Sequence, residues 1–446
     1  MPSTRRHFLK TTAVTAGGLQ AAGFEQGARS ANDRIQFATI GWGIMGSEDT
    51  RTAASVPGTK LVAVCDIYQG RLVRAQEVYG KDLFVTRDYR EVLARKDVDA
   101  VIIATPDHWH ARIAIDAMEA GKDVYIQKPM VQRVEEGMPL IEAARRTKRI
   151  VQVGSQRVSN AVYAKARELY LSGAIGELNM VEAWWDRNSV LGAWQYSIPP
   201  DASPQTVDWD RFLGHAPKRP FDPVRVFRWR NYRDYGTGVA GDLFVHLFSG
   251  LHFVLDSLGP VRIFAAGGLR YWKDGRDVPD VMVGLYDYEK GKSHPAFNLA
   301  LRVNFVNGAG ENSGFRFTGS EGVLTVDRGV TLVRVPPERD PGTSAGAFDS
   351  ETQKKILAEH RKKHPPREAT TASMEGSSEE RWLPPRGYSD QYEHHVNFFQ
   401  AVRTRQPVTE DAVFGFRAAA PAVLSNTSYF GGKTVRWDPE KMAVKA

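Results

Sequence analysis

From residue 34 to 153 the apolar positions fall into two alternating rhythms. Short runs rich in Ile, Val, Leu and Ala at 35–40, 61–66, 100–104, 124–126 and 150–153 are apolar at nearly every position, and such runs predict strands buried on both faces. Between them, 71–79, 110–120 and 134–147 repeat apolar residues at spacings of three and four, the period of a helix with one buried face. Strand and helix in alternation predict a doubly wound parallel sheet covered by helices over 31–154.

After Gly154 the rhythm changes. One helical segment, a stretch rich in Trp and Pro and a second helix lead into long strand-like runs at 261–272, 281–288, 297–305 and 315–335. Strands that follow one another through short turns predict a large, mainly antiparallel open sheet, so 155–446 reads as an α+β domain. Residues 339–389 are rich in Pro, Gly, Ser and Lys around one helical pattern at 352–363, and read as a surface insertion. Helices near 391–404 and 414–429 and a strand at 434–437 close the chain, and no internal repeat is visible.

At 446 residues the chain has room for two domains of ordinary size. Hydrophobic residues make up 42% and charged residues 25%, with no apolar run long enough to cross a bilayer as a helix. The first thirty residues differ in kind. Ser3-Thr4-Arg5-Arg6-His7-Phe8-Leu9-Lys10 precedes a mild stretch of Ala, Gly and Thr, and Ala28 and Ser30 offer the small residues of a cleavage site. This resembles a twin-arginine export signal, which implies that 1–30 is an address read by the translocase for folded proteins and that the mature chain is periplasmic or otherwise exported. Without it the formal charge falls from +7 to +4. The densest basic run, 354–367, has no interleaved aromatics and reads as a solvated helix, so no nucleic-acid partner is expected. Cys65 is the only cysteine, so no disulfide can form within the chain, and it reads as a small core residue.

The chemistry begins at Gly41-Trp42-Gly43-Ile44-Met45-Gly46, which follows a predicted strand and opens a helix. In that context the glycines serve a dinucleotide: Gly41 allows the tight turn, Gly43 lets the pyrophosphate approach the backbone and Gly46 lets helix and strand pack closely. The helix N-terminus then offers free N–H groups and a positive dipole end to the phosphates. Asp66 lies twenty residues beyond Gly46, at a strand end, where a carboxylate accepts from the adenosine ribose and repels a 2′-phosphate. NAD is expected over NADP, with Arg71 close enough to soften the preference. Ala104-Thr105-Pro106-Asp107-His108-Trp109-His110 and 121–129, ending Ile126-Gln127-Lys128-Pro129, leave the carboxyl ends of two more strands, the edge where a parallel sheet binds its ligands. Thr105 and Pro106 are therefore cofactor candidates, His108 or His110 is expected to flank the nicotinamide, and Lys128 by itself reads as a surface residue after a strand.

These two stretches together with the glycine turn resemble the glucose-fructose oxidoreductase, inositol dehydrogenase and rhizopine-catabolism protein family (Gfo/Idh/MocA). The resemblance implies a Rossmann-type domain followed by the α+β domain, a homo-oligomer formed through the second sheet, and a lysine, here Lys128, beside both nicotinamide and substrate hydroxyl. Gln127 departs from the family's glutamate; it still accepts a hydrogen bond but carries no charge. The family's second signature, an aspartate and a histidine one helical turn apart, appears as Asp242 and His246 within 236–246, and positions i and i+4 share a helix face. An ammonium, a carboxylate and an imidazole around one carbinol suit hydride transfer, because the hydroxyl loses its proton as the hydride departs. His246 is the expected general base, Lys128 the group that polarises the same oxygen and Asp242 the orienting group; the roles of Lys128 and His246 are exchangeable at this stage.

Asp107, His108, His110, Asp242, His246 and His252 follow no recognised zinc spacing, so no metal is expected. Trp184, Trp185, Trp194, Arg228, Trp229, Arg230 and Tyr232 are candidates for the substrate wall, since aromatic faces meet the C–H faces of sugars and arginine forks meet hydroxyls. The expected activity is hydride transfer to or from a sugar or cyclic polyol. Export implies an NAD carried tightly bound, because free NAD is not expected outside the cytoplasm. A trapped cofactor must return to its starting redox state on the protein, so a redox-neutral NAD-dependent glycosidase stands as an alternative. A non-catalytic dinucleotide-binding sensor is the third.

Overall fold

The computed structural model describes residues 34–334, 342–363 and 378–445. Residues 1–30, expected to be an export signal with Arg5 and Arg6, and part of the 339–389 segment lie outside the described residues. Strands β1 (Ile35–Ile40), β2 (Thr59–Cys65), β3 (Phe84–Thr86), β4 (Ala100–Ile103), β5 (Asp123–Ile126) and β6 (Val151–Val153) form one sheet in the order β3-β2-β1-β4-β5-β6. Every pairing in it is parallel. β4 and β5 are buried at all positions, as their apolar runs predict. β3 is the strand the periodicity misses; three residues are too few to display a period.

The strand order reverses between β1 and β4, and the crevice that opens there is set by a close approach of backbones. Gly41 has φ +89°, and a Cβ on it would lie 2.7 Å from the Ala104 carbonyl carbon and the Thr105 nitrogen. Only glycine fits such a crossing.

The second sheet contains β7 (Leu178–Asp186), β8 (Arg262–Gly268), β9 (Val281–Tyr288), β10 (Phe297–Asn304), β11 (Asn312–Gly319), β12 (Gly322–Val326), β13 (Val330–Arg334), β14 (Ser378–Trp382), β15 (Val435–Asp438) and β16 (Ala443–Val444). Its order is β14-β13-β12-β11-β7-β10-β9-β8-β15-β16, antiparallel except for the β7–β10 pair. Helices Ala161–Leu171, Val245–Leu255 and Ala412–Gly431 cover one face, where Leu299, Leu301, Phe315 and Phe317 are buried. On the opposite face Met180, Phe264, Val283 and Leu285 are exposed. No helix among the described residues is long and apolar enough to cross a membrane.

Two features differ from the sequence expectation. β14, inside the 339–389 segment, pairs with β13 and extends the sheet edge; its sequence Ser-Glu-Glu-Arg-Trp is charged because an edge strand meets water. Helix Asp390–Thr404, expected to belong with the second domain, instead packs on the first sheet. Its Phe398 and Phe399 meet Phe37 and Tyr125, with ring centroids 5.6 and 5.7 Å apart for Phe37–Phe399 and Tyr125–Phe398.

Candidate active site

One cavity runs along the carboxyl ends of the first sheet and under the second domain, and it gathers residues from widely separated stretches of chain. Gly41, Gly43, Ile44 and Met45 line it from the turn after β1, Asp66 from the end of β2, Thr105 and Pro106 from β4, and Gln127 and Lys128 from β5. Asp242, His246 and Trp229 line it from the second domain.

The dinucleotide end fits the group implied by the fold. The N-terminus of helix Ile44–Ser55 has no side-chain cap, so its first N–H groups are left for a ligand. A Cβ on Gly46 would fall 1.9 Å from the Gly41 carbonyl oxygen, so this glycine keeps helix and turn in contact. Asp66 secures the same turn: its Oδ2 accepts from the Trp42 N–H at 2.8 Å and its Oδ1 from the Tyr68 N–H at 2.9 Å, with the Arg71 guanidinium at 3.3 Å. A carboxylate has about four lone-pair directions, which leaves acceptor capacity for ribose hydroxyls. The Trp42 side chain does not line the cavity; it packs behind the turn among Leu72, Ala75 and Tyr79.

A segment of the second domain crosses this end. Asp208 donates its N–H to the Ile67 carbonyl at 2.9 Å, Gln69 donates to the Thr206 carbonyl at 2.8 Å, and the Trp109 indole donates to the Phe212 carbonyl at 3.0 Å. Phe212, Val226 and Phe227 thereby form a wall over the crevice. His108 and His110 do not line the cavity. His108 faces the Phe212 carbonyl at 2.8 Å and the Tyr235 carbonyl at 3.3 Å, while His110 faces the carbonyls of Pro129 at 2.7 Å and Thr105 at 2.9 Å. Burial pushes both imidazoles down to about 4, and a neutral ring has one N–H, so each histidine donates to only one of its two facing carbonyls.

At the other end Lys128 Nζ donates to Asp242 Oδ1 at 2.9 Å and to the Asp242 carbonyl at 2.8 Å, and Arg230 Nε reaches the same Oδ1 at 3.2 Å. Asp242 sits in a π-helical turn, Ala240–Phe244, just before helix Val245–Leu255; single π turns recur at functional sites. Burial alone favours a neutral acid at Asp242, but Lys128 and Arg230 outweigh it and hold the carboxylate ionised. Lys128 is lowered by burial, with Asp242 opposing.

His246 Nδ1 lies 3.1 Å from the Ser155 carbonyl. A carbonyl only accepts, so Nδ1 carries the hydrogen and Nε2 keeps its lone pair. Burial, reinforced by Lys128 and Arg157, puts the imidazole well below its ordinary range, and it is neutral at pH 7. Trp185 packs against the ring at 4.9 Å between centroids. Behind it the Ser155 hydroxyl donates to Glu410, which also accepts from Ser249 at 3.0 Å, and burial pushes that carboxyl up to about 7.

Gln127 finds a structural reason in Asp49. Its Nε2 donates to Asp49 Oδ2 at 2.7 Å, while Gln391 at 3.2 Å and His395 at 3.6 Å face Asp49 Oδ1. A glutamate at this position would place a second carboxylate against a fully buried one.

Of the proposed substrate wall Trp229 and Arg230 reach the cavity. Trp184 stacks under Arg302 on the second sheet, with the guanidinium 5.5 Å from the ring. Tyr232 is buried under Arg225. Arg228 donates to the Tyr196 carbonyl at 2.9 Å and to the Gln195 amide oxygen at 2.5 Å, and so holds the loop that brings Tyr196 to the site. Gln156, Arg187 and Tyr196 line the catalytic end without having stood among the sequence candidates for it. Among the described residues no group of three or more His, Cys, Asp or Glu side chains is placed to hold a metal.

Comparison with known proteins agrees with this geometry. Residues 35–155 match the oxidoreductase family described as having an NAD-binding Rossmann fold, and residues 185–267 match that family's C-terminal alpha/beta domain. A glycosyl hydrolase family 109 protein of Shewanella sp. (strain ANA-3) is 32% identical over 214 residues, covering 40% of this chain and 45% of that protein. Inositol 2-dehydrogenase of Salmonella paratyphi B is 35% identical over 149 residues, covering 33% of this chain and 44% of that protein. The chain thus spans about 45% of the length of the curated relatives it matches. Levoglucosan dehydrogenase, solved with NADH and levoglucosan, superposes with a TM-score of 0.63 at 16% identity over 90% of this chain and 99% of that one, a likeness of fold. The chain is thus similar to the Gfo/Idh/MocA oxidoreductases over 35–155 and 185–267, the two stretches that hold the glycine turn with Lys128 and Asp242 with His246.

Proposed function

We propose that the chain is an NAD(P)-dependent oxidoreductase that moves a hydride between nicotinamide and a carbinol carbon of a sugar or cyclic polyol. The convergence of Lys128, Asp242 and His246 in the cavity that also holds the glycine turn carries this reading. When bound, the dinucleotide supplies the hydride acceptor. His246 Nε2 takes the hydroxyl proton as the carbonyl forms, since its other nitrogen is already committed to Ser155. Lys128 remains an ammonium against Asp242 and donates a hydrogen bond to the reacting oxygen, which stabilises the charge that builds there. Lys128→Met and His246→Ala are each expected to lower turnover by about 10²–10⁴-fold with dinucleotide affinity unchanged in fluorescence titration. Full turnover by either variant overturns the assignment.

Asp66 supports NAD over NADP. The crossing segment with Phe212 and Phe227 supports a tightly held cofactor, and acid denaturation of purified protein should release NAD. The same trapping supports a second reading, a redox-neutral glycosidase, which the Shewanella relative's name also favours. Release of aglycone from a glycoside without net NADH would decide for it. Arg5 and Arg6 support export by the twin-arginine translocase; Arg5→Lys with Arg6→Lys should leave the folded protein in the cytoplasm, and continued export refutes this. Exposed Phe264 and Leu285, paired across β8 and β9, support a homo-oligomer formed through the open sheet face.

A further inference from the structure

The catalytic end of the cavity holds more positive charge than its own carboxylate balances. Lys128, Arg187 and Arg230 line it, and among the described residues Asp242 is the one carboxylate lining this end; Asp107, which also acts on Lys128 and Arg230, is pushed up to about 7 by burial and offsets them only in part. Lys128 and Arg230 share a single oxygen of that carboxylate. Arg187 has no carboxylate in ion-pair contact among the described residues: its Nη1 donates to the Gly192 carbonyl at 2.9 Å and its guanidinium packs on Phe305 at 5.6 Å. Arg157, nearby, is different, because Asp390 pairs with it at 3.7 Å. Arg230, which lines the cavity, keeps only its Nε on Asp242 and lies over Trp229 at 4.2 Å, and its two terminal nitrogens make no hydrogen bond among the described residues. Two arginines in a partly buried site with one shared carboxylate are a costly arrangement unless an anion completes it.

We propose that the substrate is an acidic sugar, a polyhydroxylated ring whose carboxylate is bound by Arg187 and Arg230 while a hydroxyl on the same ring meets Lys128 and His246. This rests on the oxidoreductase reading above for the hydroxyl, but the carboxylate site stands on the arginines. The guanidinium fork matches the two oxygens of a carboxylate, and Trp229 and Tyr196, which line the same cavity, are aromatic groups suited to the C–H face of a sugar ring. Reach favours a carboxylate on the ring over a phosphate ester. Arg230 touches the same oxygen as Lys128, so the bound anion lies close to the reacting carbon and a long ester arm has no room to fold between them.

The test uses full-length purified protein saturated with NAD and compares D-glucuronate and D-galacturonate with D-glucose, D-galactose and D-glucose 6-phosphate. Hydride transfer is followed at the nicotinamide absorbance and binding by calorimetry on the same samples. The acids should exceed their neutral partners by about 10- to 100-fold in kcat/KM or in affinity, the worth of a charge-assisted hydrogen-bond pair. Arg187→Gln should collapse that ratio through KM, and Arg187→Lys, which keeps charge but not the fork, should retain part of it. Acids that bind preferentially without hydride transfer uphold the carboxylate site and overturn the oxidoreductase reading. Equal use of neutral and acidic sugars, a preference for the phosphate ester, no binding of the acids, or an acid preference that survives in a folded Arg187→Gln protein overturns the proposal.

Discussion

Replacing Gln127 by glutamate, the residue the family resemblance puts there, is expected to destabilise this chain in a strongly pH-dependent way. The amide donates to Asp49 Oδ2 at 2.7 Å, and Asp49 is fully buried with Gln127 nearly so. Removing a donor from a buried carboxylate costs on the order of 1.5–3 kcal/mol, and an unpaired charge against it raises the total to about 3–5 kcal/mol at pH 8. Burial already raises the Asp49 carboxyl, despite His395, Gln127 and Gln391, so a second carboxyl beside it can persist only by holding a proton. By linkage, the folded variant binds more protons than the unfolded chain, so its stability is fullest below the unfolded carboxyl value and is lost as pH rises toward the elevated folded one. The penalty relative to wild type should therefore shrink by up to about 1.4 kcal/mol per pH unit as pH is lowered from 8 toward 5, where the protonated side chain of the Gln127→Glu variant can donate to Asp49 as the amide did. Urea unfolding of both proteins at pH 5.5 and 8 measures this. Asp49→Asn combined with Gln127→Glu supplies a new amide donor and should recover at least half of the loss at pH 8. A Gln127→Glu protein as stable as wild type at pH 8, or no recovery in the double variant, refutes the pairing.

Asp66→Ala should weaken NAD binding by about 10- to 100-fold and narrow the preference over NADP, since a charged acceptor is worth on the order of 1.5–3 kcal/mol; unchanged NAD affinity in a variant with wild-type melting contradicts the ribose assignment. The depressed His246 imidazole keeps its lone pair as pH falls, so the acidic limb of kcat/KM should lie below the ordinary 6.5 and the rate should hold between pH 8 and 6.5. A limb at or above 6.5 in the pH–rate profile would mean that another group is the base.

The parts of this architecture legible in the chain are those where local pattern and burial agree. β4 is buried on both faces and reads as an unbroken apolar run, β1 and β5 read as mainly apolar runs with Gln36, Thr39 and Asp123 among them, and β9 alternates outside and inside almost residue by residue. β7 escaped because its outward face carries Met180, Glu182 and Trp184 and a register shift interrupts its pairing with β11, so neither period is clean. Lys128, Asp242 and His246 were legible through their motifs, whereas Arg187 and Tyr196 carry no motif: a loop held by Arg228 and the end of β7 bring them to the cavity. His108 and His110 show the opposite error. A histidine after a strand end reads as functional until both ring nitrogens are found facing backbone carbonyls.

Helix Asp390–Thr404 also bears on how the chain reaches its native state. The Gln152 amide donates at 2.6 Å to the carbonyl of His394, 242 residues further along, and Phe398 and Phe399 seal the face of the first sheet that contains Phe37 and Tyr125. On a ribosome the dinucleotide-binding half emerges first, but one side of its sheet, covered in part by Ala53 of helix Ile44–Ser55 and by Val56 just after it, is not closed until residues 390–404 have been made. Any fragment that stops before residue 390, however well chosen by domain boundary, leaves those aromatic rings to water or to a neighbouring chain. The two halves are thus one cooperative unit tied by a late-arriving helix, and a dinucleotide-binding module cannot be cut from this protein by taking its N-terminal part alone.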